Sequence, residues 1–114
     1  MKGDILYLSN IEECIELIEA YTAGGKEVFL ATRMIQDAVI RNFEVIGEAT
    51  KRLSPELRKA HPDIQWQQIA GLRDVLIHDY LRVNLHRVWN IIEQNLPDLK
   101  KRVKEIMQEL EPKE

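Results

Sequence analysis

Residues 27–58 read EVFLATRMIQDAVIRNFEVIGEATKRLSPELR. Ile35, Ala38, Val39, Val45, Ile46, Ala49 and Leu53 recur at spacings that line one side of a helix. They predict a long helix over roughly 27–53. Two residues interrupt its apolar side. Gly47 costs a helix interior about 1 kcal/mol against alanine, and Asn42 brings an amide to the buried face. Either another helix approaches at Gly47 while Asn42 finds a hydrogen-bond partner, or this segment lines a site. Ser54-Pro55-Glu56 then restarts a helix, with an N-cap hydroxyl, a proline in the first turn and an acid at the positive helix end.

The same period extends outward in both directions. Upstream, Ser9 and Glu12 have capping-box spacing, which predicts a first helix from Ser9. Ile11, Ile15 and Ile18 form its stripe, and Gly24-Gly25 ends it because glycine accepts the left-handed conformation. Downstream, a short helix closes before His61-Pro62. Another begins near Asp63–Trp66, carries Ile69, Leu72, Val75 and Leu76 inward, and runs to about His78. Asn84 caps a further helix with Leu85, Val88, Ile91, Ile92 and Leu96. Pro97 kinks it or starts a new segment. Leu99, Val103, Ile106 and Leu110 keep helical spacing in a charged tail. Strand signals are nearly absent. The expectation is an all-α bundle of about five helices, one domain over residues 1–114.

Composition narrows the function classes. Hydrophobic residues make up 45% and charged ones 31%, the balance of a soluble globular chain. No apolar run approaches the ~20 residues that span a bilayer, and the acid at Asp4 argues against a signal peptide. A cytoplasmic location and no membrane partner follow as expectations. The lone Cys14 excludes an internal disulfide and a cysteine-based zinc site, and packs as a small apolar residue. The net charge of −3 is unevenly spread. Residues 1–20 hold five acids against the single base Lys2, while the rest of the chain has 15 bases and 14 acids. Lys51, Arg52, Arg58 and Lys59, then Lys100, Lys101, Arg102 and Lys104, form basic clusters that permit phosphate contact without indicating it.

Chemistry concentrates in GLRDVLIHDY, residues 71–80. Asp74 and His78, four apart, share a helix face, so the carboxylate can orient the imidazole or stabilise its cation. Arg73 and His78 are offset by about 140° on a straight helix. They converge only if the helix ends or bends, or if a second copy of the chain supplies the missing group. The set suits RNA cleavage without a metal. Histidine can take the 2′-hydroxyl proton or return one to the leaving oxygen near neutral pH. Arginine matches phosphate oxygens and offsets charge developing at phosphorus. One histidine cannot serve both roles in one step, whereas two across a twofold axis can. The competing reading is polar decoration favoured by the helix dipole. His61, in a loop, and His86, in a first turn, read as surface residues. No histidine pair has metal-binding spacing, so neither metal nor cofactor is expected.

Arg73, four residues, His78, one residue, Tyr80 matches the R-x4-H-x-Y signature of the HepT-like toxins of the HEPN superfamily. The resemblance extends through RNFEVIGEATKRLSPELR at 41–58, Trp66, IAGLRDVLIHDY at 69–80, VW at 88–89 and NLPDLK at 95–100. It implies an all-α homodimer, open to further assembly, that acts as a metal-independent ribonuclease and as the toxin of a toxin–antitoxin pair. Arg73 and His78 would occupy its catalytic positions, with Asp74 supporting. Members often carry asparagine where this chain has Asp74, an acid that repels RNA phosphate and raises the pKa of the histidine. The resemblance makes Tyr80 the acceptor of AMP from a minimal nucleotidyltransferase antitoxin of the MntA type, and the added phosphates would block RNA at Arg73. The substrate it implies is RNA, with tRNA a candidate. Two alternatives stand beside the toxin: a non-catalytic substrate-binding or regulatory subunit of such a nucleotidyltransferase, and a helical adaptor. Arg41, Asn42 and Glu48 are candidates to face the same cleft.

Overall fold

The computed structural model describes residues 2–78 and 83–111, with residues 2 and 73–78 described by their backbone. Its helices are α1 (Lys2–Tyr21), α2 (Lys26–Ala31), α3 (Arg33–Lys51), α4 (Pro55–Ala60), α5 (Trp66–His78), α6 (Leu85–Asn90) and α7 (Leu96–Leu110). A π-helical turn, Ile91–Asn95, joins the last two. No strand occurs among the described residues. The all-α bundle read from the periodicity is the architecture that forms.

Three helices supply most of the core. Leu8, Ile11, Ile15 and Ile18 of α1 meet Val39, Phe43 and Ile46 of α3 and Val103 and Ile106 of α7 in one buried cluster. Burying each of these side chains contributes roughly 1.5–3 kcal/mol over leaving it in water. α1 packs between α3 and α7, and α3 packs between α1 and α5. Phe29 of α2 closes the far side against Trp89 of α6, with ring centroids 5.6 Å apart and planes tilted by 37°.

The first helix starts earlier than the capping box at Ser9 predicts. Ser9 sits inside α1, exposed. The added turns are anchored by a distant contact: the buried Asp4 carboxylate accepts from the Ser54 backbone N–H at 2.8 Å and from its hydroxyl at 2.6 Å. The same hydroxyl oxygen accepts from the Leu57 N–H at 3.2 Å, so Ser54 caps α4 as its sequence predicts while tying α4 to α1.

The long helix expected over 27–53 is broken at Thr32, whose backbone is extended (φ −120°, ψ 102°). The break is held by Gln36. Its buried amide donates to the carbonyls of Phe29 and Leu30 at 3.0 and 3.1 Å, at the end of α2 where the Phe29 carbonyl also accepts the Thr32 N–H at 3.4 Å. Gly25 turns the chain into α2 at φ +96°, a conformation that strains any residue with a Cβ. The expected stripe on α3 otherwise holds, with Val39, Ile46, Ala49 and Leu53 buried and Gly47 buried beside them.

At the other end, Asn84 caps α6 by accepting from the Arg87 N–H at 3.2 Å. Of the two outcomes expected of Pro97, the start of a new segment is the one observed. It lies in the first turn of α7, and the π turn before it ends with the Leu96 N–H donating to the Ile91 carbonyl. That wider turn makes room for a ring that would clash with the carbonyl four residues back. No described helix is long and apolar enough to cross a membrane.

Candidate active site

α5 forms because its start is pinned. The Trp66 indole N–H donates to the His61 carbonyl at 3.0 Å, and the Trp66 ring is buried in the core. Ile69 and Leu72 then pack, half-buried, against the same cluster. This lays the second half of α5, residues 73–78, along a helix that packs on α3.

Arg73, Asp74 and His78 therefore share one helix. By helical geometry Asp74 and His78 stand one turn apart on one face, and Arg73 lies about 140° around from His78. Their side chains, and Tyr80 altogether, lie outside the described residues. One helix thus presents the arginine and the histidine positions on different faces, as the sequence spacing requires. Just before them, half-buried Gly71 stands beside open space: among the described residues a Cβ there would meet nothing within 4 Å.

The other candidates separate. Arg41 and Glu48 line a solvent-open groove of about 330 Å³ with Tyr7, Asn10, Glu44, Val45, Ala49 and Arg52. Among the described residues that groove belongs to α1 and α3, and no α5 residue lines it. Asn42 is not in it, because its amide donates to the Ala38 carbonyl one turn back at 2.9 Å. Of the two readings left open for Asn42, the hydrogen-bond partner is the one observed, and it is local.

The basic clusters also divide. Lys100 reaches Glu19 at 2.8 Å and Glu16 at 4.0 Å, and Lys104 lies 3.9 Å from Glu12. The hydrogen bond to Glu19 holds the Lys100 ammonium above its usual range. The acid excess of α1 is in this way matched by α7. Arg102 binds Asp63 at 3.0 Å and Glu105 at 2.9 Å, and the contact with Arg102 holds the Asp63 carboxyl below the usual carboxylate value.

His61 is not surface decoration. It is largely buried, with Nδ1 3.1 Å from Arg102 Nη2 and Nε2 3.5 Å from Glu109. Arginine only donates, so Nδ1 accepts, and the proton of the neutral ring sits on Nε2 facing the carboxylate. This network stands at the opening turn of α5, about 18 Å along the helix from His78. Sequence spacing missed it because its members come from the loop before α5 and from α7. His86 is exposed, as expected. Burial raises the Cys14 thiol above its usual range, in keeping with a packing role. Among the described residues no three histidine, cysteine or carboxylate side chains gather as metal ligands would.

A family model described as Ribonuclease HepT-like matches residues 11–106. The chain belongs to the HepT-like ribonucleases. Three relatives place this HepT-like chain further. A Methanocaldococcus jannaschii protein named for both a gamma-glutamylcyclotransferase and an RNase is 42% identical over 113 residues, 97% of this chain but 51% of that protein. A protein of Caldanaerobacter subterraneus that carries an RNase name is 42% identical over 109 residues, 95% of this chain and 97% of its own length. A protein of Thermococcus cleftensis, named probable ribonuclease HepT, is 42% identical over 95 residues, 82% of this chain and 86% of its own. The HepT-like chain thus spans about half of the first relative and nearly all of the second. No solved structure matches it.

Proposed function

We propose that this HepT-like chain is a metal-independent endoribonuclease, the toxin of a toxin–antitoxin pair, acting in the cytoplasm as a homodimer with its active site at the subunit seam. The observation that carries this reading is the R-x4-H-x-Y spacing at Arg73, His78 and Tyr80 on and just beyond α5, in a chain of a ribonuclease family.

The chemistry follows from the residue types. The ribose 2′-oxygen attacks phosphorus while one neutral His78 takes its proton. The P–O5′ bond breaks, and the protonated His78 of the second copy gives its proton to the departing 5′-oxygen. A 2′,3′-cyclic phosphate remains, and the two histidines have exchanged protonation states. Arg73 binds the non-bridging oxygens and offsets the charge that grows there. Asp74, one turn from His78, supports the imidazolium. The twofold supplies acid and base from one histidine per chain and removes the angular conflict between Arg73 and His78 on a single helix.

Tyr80 is the regulatory position in this reading. A nucleotidyltransferase antitoxin transfers AMP to its hydroxyl, and the added phosphates engage Arg73 and exclude RNA. tRNA is the substrate to try first.

The test is cleavage of labelled RNA by the purified chain in EDTA, alongside Arg73→Ala and His78→Ala variants of unchanged helicity. Cleavage by the parent and its loss in both variants is the expected result. Cleavage that persists in His78→Ala removes the proton-transfer role. Asp74 favours one other reading, because an acid beside the arginine disfavours RNA phosphate. If the parent is inert but accepts AMP at Tyr80 from the partner enzyme, the chain is a non-catalytic subunit of that transferase.

A further inference from the structure

Among the described residues, Nε of Arg58 on α4 is a buried side-chain donor without a hydrogen-bond partner. A buried donor left unmet costs free energy, and more when it belongs to a charged group. Arg58 as a whole is half-buried, and no described carboxylate pairs with it. The acids at this end of α5 are already engaged. Asp63 and Glu105 bind Arg102 at 3.0 and 2.9 Å, and Glu109 lies 3.5 Å from His61. Glu56, two residues before Arg58, falls on a different helix face.

The backbone of Arg58 is nonetheless firmly placed. Its N–H donates to the Ser54 carbonyl at 3.2 Å, and its carbonyl accepts from the His61 N–H at 3.3 Å. The His61 carbonyl in turn accepts from the Trp66 indole at 3.0 Å. Leu57, next to Arg58, is buried in the core. α4 thus holds its arginine beside the opening turn of α5, the helix that carries Arg73 and His78. From Trp66 to Arg73 the rise along that helix is about 10 Å. One face of α5 runs back from His78 through Asp74 and Gly71 to Gln67, in steps of four, three and four residues. Gln67 is exposed, and Gly71 stands beside open space among the described residues. A strand laid on His78 meets no described side chain at Gly71 on its way toward the opening turn.

We propose that Arg58 is an RNA-binding residue that takes a phosphate of the substrate strand away from the bond that is cut, a few nucleotides from the one at Arg73. Its planar fork suits phosphate oxygens. Turning toward a phosphate breaks no protein hydrogen bond and gives the Nε donor an acceptor. Arg41, Arg52 and Arg102 differ, because each already holds a carboxylate that RNA would have to displace. The proposal rests on the nuclease reading and deepens it. A second phosphate contact makes the chain prefer a longer RNA over a dinucleotide.

Binding of fluorescein-labelled tRNA tests it, read by anisotropy over a series of KCl concentrations. The full chain carries His78→Ala so that the RNA stays whole. Adding Arg58→Gln should weaken binding roughly three- to tenfold and flatten the slope of log affinity against log salt by about 0.7–0.9, the share of one phosphate. Arg58→Lys keeps the charge and should keep the slope. In cleavage assays with His78 in place, Arg58→Gln should raise KM by a similar factor with little change in kcat. Its preference for tRNA over a dinucleoside monophosphate, which has only the phosphate that is cut, should fall. Arg58→Met should melt no lower than the parent, because it keeps the apolar stem and removes the unmet donor. An Arg58→Gln chain with the parent's salt slope and KM overturns the proposal and leaves the nuclease standing. So does a loss confined to kcat, or an Arg58→Met chain that melts well below the parent while the salt slope is unmoved. A parent that neither binds nor cleaves RNA overturns both.

Discussion

The two charged surfaces of α1 and α3 are built from the same residue types and do different work. On the α1–α7 side, Lys100 and Lys104 reach acids more than eighty residues away in the chain, and Arg102 reaches Asp63 across an element boundary. Those charges hold elements together. On the outward side of α3, Arg33 pairs with Asp37, Arg41 with Glu44 and Arg52 with Glu48, each within one turn of the same helix, and Arg52 also hydrogen-bonds Tyr7 of α1. Such pairs add little to the fold, a few tenths of a kcal/mol in an isolated helix, and their side chains stay partly exposed. On α5, half-buried Gly71 stands beside open space among the described residues. The bundle thus divides into a tied side and a presented side, and the charge count alone distinguishes neither.

The largest effects should appear where that division is chemical. Arg73→Ala or His78→Ala should lower RNA cleavage by about 10²–10⁴-fold, the range of a lost acid–base group, and leave the denaturation midpoint nearly unmoved. A variant that loses activity and stability together would place these positions on the tied side.

Next in size is the latch between α1 and α4. Asp4→Ala removes a buried carboxylate that accepts two hydrogen bonds from Ser54. It should cost about 2–4 kcal/mol in urea denaturation, because charge-assisted bonds are lost and the Ser54 N–H is left without its acceptor. A cost below about 0.5 kcal/mol, the scale of an ordinary surface change, would mean the first turns of α1 are not anchored there.

Gly71→Ala acts in the opposite direction. Open space and a helical position predict a gain of up to about 1 kcal/mol from helix propensity. If stability rises while cleavage falls, something in the working complex occupies that space, which sharpens the contrast between the two sides.

The smallest effects concern the seam and depend on pH. Asp63 is held below 3.8 by Arg102, so the stability it adds is present above that ordinary value and is lost as pH falls through its folded value. Lys100 is raised above 10.5 by Glu19, so its contribution is present below that value and is lost as pH rises through the folded one. Asp63→Asn should flatten the acid limb of a melting-temperature profile, and Lys100→Met the alkaline limb. Both losses should shrink in high salt, as screening of exposed pairs requires.

How legible all this was depended on the range of the contact. Ser54 and Asn84 were readable as caps because each bonds a backbone N–H three residues away. The stripes of α3 and α7 were readable because a helix repeats every 3.6 residues. Ser9 does not mark the start of α1 because Asp4 finds its partner fifty residues on. The break at Thr32 leaves no local signal because the Gln36 amide that bonds the Phe29 and Leu30 carbonyls looks, in sequence, like one more polar helical residue. His61 was read as surface for the same reason: Arg102 and Glu109 come from α7. At the candidate site, the spacing of Arg73, Asp74 and His78 was visible at once, and it is a property of one helix. The separation of Arg41 and Glu48 from Asn42 was not, since it depends on what α1 leaves open.

What the amino-acid order determined alone was the helical class, most caps, the buried stripes and the angular disagreement between Arg73 and His78, all consequences of local geometry over a few residues. The tertiary structure alone decided which charges are consumed in tying α1 to α7, which remain presented along α3, and where the chain breaks between α2 and α3. Those choices rest on side chains brought together from distant positions, where burial and hydrogen-bond satisfaction outweigh local preference.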